Sequence, residues 1–444
     1  MDNKKILEQV QKDKIRFILL QFTDLFGIVK SLTISAHHLA DALHYGVWFD
    51  GSSVEGFARI QESDMLLRPD ITTYSIIPWL GSDNGKTARF ICNIYTPDGK
   101  PFEGDPRYIL KKIIKEAEDM GFEYKIGPEM EFFLFKKENG KLLPLPHDNA
   151  GYFDLSMDQA YKIRENMVLA LAEFGIEVET SHHEVAHGQH EIDFHYDNAL
   201  KTADNGTTLR FVLKAIAQSY DLHATFMPKP MMGVNGSGMH VHQSLFDISS
   251  QKNAFYNPND KYQLSPIAYN FIAGQLDHIK AMSAILSPTV NSYKRLVSGY
   301  EAPVYISWAR INRSALIRVP QYSKGKEQST RIELRSPDPS CNLYLAFAIM
   351  LKAGLDGIKR KLQPPAPIEE DIYNFDETQL RKSNIDTLPH SLWEALEYLK
   401  SDPVIQNGLG SHTYEKYVEI KTKEWEEYHI QVTNWEIDKY LERY

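Results

Sequence analysis

Cysteine is nearly absent: the 444 residues hold only Cys92 and Cys341. Neither lies in a CxxC, which excludes a disulfide scaffold and a cysteine-only zinc site. Long apolar runs are also missing. The longest, Leu343 to Leu351, stops at Lys352, far short of the roughly 20 residues that cross a bilayer. No signal-peptide apolar core follows Met1-Asp2-Asn3-Lys4-Lys5, so the expectation is a cytoplasmic, soluble chain with no membrane partner. Positive charge is in deficit, with 49 Lys plus Arg against 59 Asp plus Glu and a net charge of −10. Nucleic-acid binding needs clustered cations, so nucleic acid is not an expected partner. No G-x-x-x-x-G-K-[ST] occurs, which excludes a P-loop. Gly233-Val234-Asn235-Gly236-Ser237-Gly238 is glycine-rich but lacks the dinucleotide spacing and precedes a strand. What is present, 43% hydrophobic and 24% charged residues, suits a globular protein with a large core.

Along the chain, Lys4 to Asp13 reads as a short amphipathic helix. Ile15 to Phe22 and Ile28 to Ile34 read as a hairpin around Thr23-Asp24-Leu25-Phe26-Gly27. Ser35 is placed to cap a short helix through Leu43. Ile71 to Leu80 and Ala88 to Tyr95 read as strands. The Pro/Gly cluster from Thr96 to Pro106 marks a boundary. Beyond it strands alternate with helices, including a strand at Glu129 to Phe135. Helices are expected at Asp158 to Phe174, Thr208 to Leu222, Ser265 to Leu286 and Leu343 to Lys359. The pattern is α+β, with a small N-terminal domain (residues 1–103) and a large C-terminal one (residues 104–444).

His183-Glu184-Val185-Ala186-His187 spells the zinc-protease HExxH, which works only on a helix. The flanks alternate like strands and Gly188 follows at once, so a strand-bend-strand is expected instead. Glu129 and Glu131 straddle Met130 in an apolar run, which puts both carboxylates on one face of a strand. Such a pair resists burial unless a cation joins it; two solvated acids on an edge strand are the alternative. Glu184 with Glu191, His240 with His242, and Arg331 with Glu333 and Arg335 recur in similar settings. Mostly carboxylate ligands with few imidazoles favour Mg²⁺ or Mn²⁺ over zinc. Arg295, Arg310, Arg313, Arg318, Arg331 and Arg335 lie close in sequence, either as a solvated salt-bridge face or as carboxylate and phosphate binders. Two metals plus arginines can support phosphoryl transfer without a P-loop.

These motifs, taken in order, resemble those of type I glutamine synthetases over essentially the whole chain. The matching stretches are Phe49-Asp50-Gly51-Ser52-Ser53, Glu62-Ser63-Asp64-Met65, Gly127-Pro128-Glu129-Met130-Glu131-Phe132 and His182-His183-Glu184-Val185-Ala186. They continue with Phe226 to Pro230, Asn235 to His242, Gly299 to Val304, Asn312 to Ala315 and Arg331 to Pro339. The resemblance implies a β-grasp-like N-terminal domain and a catalytic domain built on an antiparallel sheet flanked by helices. It implies a homo-oligomer, a dodecamer of two hexameric rings, with each site shared between one subunit's catalytic domain and the next subunit's N-terminal domain. The implied reaction ligates ammonia to L-glutamate through a γ-glutamyl phosphate, using ATP and two or more Mg²⁺ (or Mn²⁺) per subunit.

Residue roles implied by the resemblance follow. One metal would be held by Glu131, Glu184 and Glu191, the other by Glu129, His240 and Glu333. Arg313 and Arg331 would clamp the transferred phosphoryl; Arg295, Arg335, Asn235 and Gly236 would hold glutamate. Tyr196, His242 and Ser244 would contact the nucleotide. Asp50 would deprotonate ammonium in a site shared with Ser53, Tyr152 and Glu184. Gly299-Tyr300-Glu301-Ala302-Pro303 would form a lid, with Glu301 closing the site and taking a proton from the adduct. Arg59 matches a position at which the feedback-inhibited α-type senses glutamine, and the stretch before Ser391 lacks the adenylylated tyrosine insertion. Nitrogen-regulatory proteins are candidate partners. The rivals are a γ-glutamyl-amine (polyamine) ligase, a catalytically silent structural paralogue and a metal-dependent hydrolase. Retention of Asp50, Glu184 and every implied ligand position favours the ammonia ligase.

Overall fold

A computed structural model describes residues 2–57, 64–82, 85–144, 150–370, 372, 375 and 385–444. The first ninety-odd residues build a mixed sheet. Its strands are β1 (Ile15–Thr23), β2 (Val29–Ser35), β3 (Val47–Asp50), β4 (Asp64–Pro69), β5 (Ser75–Ser82) and β6 (Gly85–Tyr95), in the order β2-β1-β6-β4-β3, with β5 also on β6. The expected hairpin is β1–β2, and β1 runs parallel to β6. Ser35 is not a side-chain cap: a 3-10 turn Ala36–His38 intervenes and the helix is Leu39–Tyr45. Ile71–Thr73 is likewise a 3-10 turn, capped by Asp70, ahead of β5.

The second sheet is organised by one long strand, β7 (Phe122–Glu138), followed by β8 (Lys141–Pro144), β9 (Val178–His183), β10 (Gln189–Phe194), β11 (Asp197–Asn198), β12 (Leu222–Thr225) and β13 (Val241–Asp247). β14 (Tyr305–Ala309), β15 (Ala315–Arg318), β16 (Ile332–Leu334) and β17 (Asp386–Thr387) extend it in the order β17-β14-β15-β16-β13-β7-β10-β9. The sheet expected to be antiparallel is so at each described pairing but one, since β14 and β15 run parallel. HExxH starts at His183, the last residue of β9, and runs into the turn before β10, so its histidines share no helix face. The long helices Pro266–Leu286 and Leu343–Arg360 pack closely; a methyl on Gly274 or Gly357 would overlap the facing backbone.

Among the described residues each sheet domain has a large hydrophobic core, Leu25 and Ile77 of the small domain join the larger one, and Phe133, Phe135 and Ala186 form a smaller third cluster. Polar anchors complete the junction. Asn342 caps the helix Leu343–Arg360 and donates to the carbonyls of Asp24 and Leu25 at 3.1 Å. Arg107, buried at the start of the helix Pro106–Asp119, donates to both oxygens of Asp204 at 2.9 and 2.8 Å. It also reaches Asp70 at 2.9 Å and Asn93 at 2.7 Å.

Candidate active site

β7 aims Glu129 and Glu131 to one side because successive side chains alternate. Pairing supplies their partners. Glu191 lies opposite Glu131 and Asp193 opposite Glu129 across β7–β10. His182 lies opposite Glu191 across β9–β10, and Glu333 opposite both His242 and Arg318. The result is a cleft of about 310 Å³ lined by Glu129, Glu131, Glu184, Glu191, His240 and Glu333 on the acid side. Arg295, Arg313, Arg335, Asn235, Gly236, Tyr152 and Glu301 line it too.

Two ligand-like clusters lie in it. Glu129, His240 and Glu333 present donor atoms within 4.8 Å of one another. His240 Nδ1 is 3.0 Å from Glu129 Oε2, and His242 Nε2 is 2.7 Å from Oε1. Glu333, fully buried, accepts from Arg335 Nη1 and Arg318 Nε at 2.5 Å each. The second cluster is His182, Glu184 and Glu191. Glu131 stands beside it, its Oε2 accepting from Gln189 Nε2 and Gly238 N at 2.9 Å each.

The electrostatics separate the clusters. Burial pushes Glu129 and Glu333 up, but His240 and His242 around Glu129, and Arg335 with the histidines around Glu333, hold both down; Glu333 falls to about 2. Around the other cluster nothing so strong intervenes. Burial and the Glu184 charge raise Glu131 to about 8 despite Arg295 and the Gly238 N–H. Burial, then Asp193, Glu131, Glu129 and Glu184, raise Glu191 to about 12. Acids crowded like this hold protons unless a cation neutralises them. Carboxylates with one imidazole per cluster suit an oxygen-seeking divalent cation such as Mg²⁺ or Mn²⁺.

A second cavity, about 380 Å³, opens on the other side of Glu129, which lines both. Tyr196, His242, Ser244 and Arg331 line it with Lys125, Glu179, Thr180 and Asp193. Arg331 Nε donates to His242 Nδ1 at 3.2 Å, and Arg331 Nη1 to Ser329 O at 3.2 Å. The expected nucleotide contacts therefore meet here, apart from Arg313, which lies in the acid cleft.

Asp50 and Ser53 are not brought to either cavity within one chain. Asp50 ends β3 exposed, accepting from Ser52 N at 2.9 Å, Ser52 Oγ at 2.6 Å and Ser53 Oγ at 2.9 Å, bonds that keep its carboxyl below the usual range. Arg59 and the Glu62-Ser63 part of its motif lie outside the described residues. The segment expected to form a lid reaches the cleft: Asn235 Nδ2 donates to Glu301 Oε2 at 3.0 Å, and Lys229 Nζ stands 3.9 Å above the Tyr300 ring. Glu301 sits at φ 57°, a left-handed geometry that costs a non-glycine residue.

His182 and Gln189 received no role in the sequence reading, while Arg318 was named only within the arginine group and Tyr300 only within the expected lid. His182 was legible, since His182-x-Glu184 has the same period-two spacing as Glu129-x-Glu131. Gln189 shares that spacing with Glu191 in the strand Gln189–Phe194, but an amide, unlike a carboxylate or an imidazole, does not by its type point to a cation site.

The descriptions "Glutamine synthetase, catalytic domain" and "Glutamine synthetase, beta-Grasp domain" match residues 103–440 and 14–97. The chain belongs to the glutamine synthetase family. Proteins named glutamine synthetase are 53% identical in Thermotoga maritima (99% of this chain, 98% of that one) and 51% identical in Thermus thermophilus (99% of each). Among solved structures, a GmaS–ADP complex superposes with a TM-score of 0.90 at 31% identity, covering 98% of this chain and 99% of the other. The Plasmodium falciparum glutamine synthetase superposes at 0.89 with 26% identity, covering 99% of each. The family's β-grasp and catalytic parts correspond here to the mixed sheet of β1–β6 and the larger sheet around β7.

Proposed function

We infer that this chain is a glutamate–ammonia ligase, forming L-glutamine, ADP and phosphate from L-glutamate, ammonia and ATP. The observation that carries the reading is the pair of cavities meeting at Glu129: one suited to a nucleotide, the other rich in acids and guanidiniums. A divalent cation held by Glu129, His240 and Glu333, and another by Glu131, Glu184 and Glu191 with His182 beside them, would neutralise phosphate and carboxylate charge. The protein's own groups do the rest. Tyr196, His242 and Ser244 orient ATP so that its γ-phosphoryl faces the shared wall. Arg295, Arg335, Asn235 and Gly236 hold glutamate with its side-chain carboxylate toward that phosphoryl.

A glutamate carboxylate oxygen attacks the γ-phosphorus, the bond to ADP breaks, and an acyl phosphate forms. Arg313 and Arg331 spread the charge on the moving phosphoryl. Asp50 of the neighbouring subunit takes a proton from ammonium beside Ser53, Tyr152 and Glu184. The freed lone pair attacks the acyl carbon. Glu301 takes a proton from the adduct, the C–O bond breaks, and phosphate leaves. With the lid down, Glu301 also keeps water from the acyl phosphate.

We assign a homo-oligomer, on the family resemblance a dodecamer of two rings; what supports a site shared between subunits is that Asp50 lines neither cavity of its own chain. The C-terminal helix Asn434–Tyr440 also exposes Trp435 and Ile437 beside Leu441, apolar surface suited to a subunit contact. Glutamine feedback through Arg59, absence of adenylylation, and the boundary between residues 103 and 104 complete the reading. The test is ATP-dependent phosphate release with glutamate and Mg²⁺, comparing ammonium, putrescine and no amine. Release requiring ammonium, with equimolar glutamine, supports the assignment. Release with putrescine alone points to an amine ligase, and none at all to a silent paralogue.

A further inference from the structure

We propose that Gln189 is a positioning residue that ties the acid Glu131 to the glutamate-binding loop at Gly236. Gln189 opens β10 two residues before Glu191, so its side chain faces the cleft on the same side as that acid. It is almost completely buried. Its Nε2 donates to Glu131 Oε2 at 2.9 Å and to Gly236 O at 3.1 Å, and its Oε1 accepts from Ala186 N at 3.3 Å. A carboxylate and a carbonyl on one end and an N–H on the other leave the amide a single consistent orientation.

The consequence for Glu131 is directional. Oε2 receives both Gln189 and Gly238 N, which leaves Oε1 as the oxygen turned to the cleft. A Cβ on Gly238 would come within 3.3 Å of Oε1 and 2.5 Å of Arg295 Nη2, so the loop closes tightly on that oxygen. The consequence for the loop is equally direct. Gly236 O is pinned next to Asn235, which holds the lid residue Glu301 at 3.0 Å. One amide thus occupies one Glu131 oxygen, leaving the other to hold a cation if one binds, and fixes where the loop at Gly236 stands. A core-packing glutamine would have no reason to favour one substrate over the other.

The proposal rests on the ligase reading above, and the test separates the two. Gln189→Met keeps the length and removes the donors. Free Mn²⁺ is followed by its EPR signal during titration of the intact assembly. The expected result is one class of Mn²⁺ sites weakened about 10–100-fold, the range for loss of a ligand-orienting partner, with the other class unmoved. KM for glutamate rises while KM for ATP stays. Unchanged Mn²⁺ binding and unchanged glutamate KM overturn the proposal. So does an equal loss on glutamate and ATP accompanied by a lower melting temperature, which marks simple packing. If the Met variant does not assemble, Gln189→Asn keeps the amide one methylene short of its partners; wild-type behaviour from it overturns the proposal equally. Wild-type protein that makes no glutamine sinks the ligase reading alone, while the Mn²⁺ titration still decides the role of Gln189.

Discussion

Arg107 offers a quantitative handle on how the small domain is held. Its guanidinium is buried and its donors reach Asp204 twice, Asp70 once and Asn93 once. Asp70 belongs to the small domain and Asp204 to the helix Ala199–Ser219 of the large one. Arg107→Met preserves most of the aliphatic stem and removes the charge. Asp204, still accepting from the Tyr344 hydroxyl at 2.7 Å, is left as a buried carboxylate without its cation. Breaking a buried pair from one side costs about 3–5 kcal/mol. The Asp70 carboxyl, raised by burial but lowered further by Thr72 and Arg107, loses part of its support as well. Urea unfolding followed by tryptophan fluorescence should show the loss in its first transition. Arg107→Met combined with Asp204→Asn should recover part of it, because no buried charge then remains at Asp204, although the buried Arg89 loses the support of that carboxylate. A single-variant cost below about 1 kcal/mol, the range of exposed pairs, or no recovery in the double variant, would refute the argument.

Further expectations follow from the same geometry. Adding Mn²⁺ to chelator-treated protein should raise its melting temperature, since binding at about 100 times Kd adds about 2.7 kcal/mol; an unmoved Tm would contradict cation neutralisation of the crowded acids. Burial lowers the His278 pKa, but Asp402 at 2.6 Å and Asp356 at 3.0 Å outweigh it and leave it above 6.5. The stabilisation is therefore complete below pH 6.5 and fades as pH rises through the folded pKa. The Tm gap between wild type and His278→Gln should narrow from pH 6 to pH 9, and a constant gap would count against the charged pair. Lys229→Met removes the cation over Tyr300 and should raise glutamate-dependent ATP hydrolysis without glutamine formation; tight coupling retained in the variant would rule out a lid latch. Co-expressed Asp50→Asn and Glu301→Gln subunits should regain activity that neither has alone, measured as glutamine formed by mixed assemblies; no recovery would place the whole site within one subunit.

Much of the site could be read directly. Period-two spacing placed Glu129 with Glu131, and His240 with His242, and the strand-like flanks of HExxH excluded a zinc helix. The failures have physical causes. The helix expected at Thr208 to Leu222 is Ala199–Ser219. Its first turns, Thr202 to Thr208 with Gly206, have low helix propensity. They are helical because Asp204 takes Arg107, Gly206 packs under Leu343 and Thr202 bonds Ile126 O at 3.1 Å, none of which is local. Ser35 looked like a cap and is not one. Asp50 lines neither cavity of its own chain; the resemblance implies that it serves a neighbouring subunit's site.

β7 bears a further meaning. It runs seventeen residues unbroken and carries Lys125 at one cavity, Glu129 at the wall between them and Glu131 at the other. Two residues along a strand advance about 6.7 Å, so the backbone itself works as a ruler between the two cavities, which in the proposed reading separates phosphate from carboxylate chemistry. A loop can lengthen and be absorbed. A single residue inserted between Glu129 and Glu131 cannot, because it would turn one acid to the opposite face. Change in this enzyme is therefore cheap around the rim and in the lid, and nearly forbidden along those three residues.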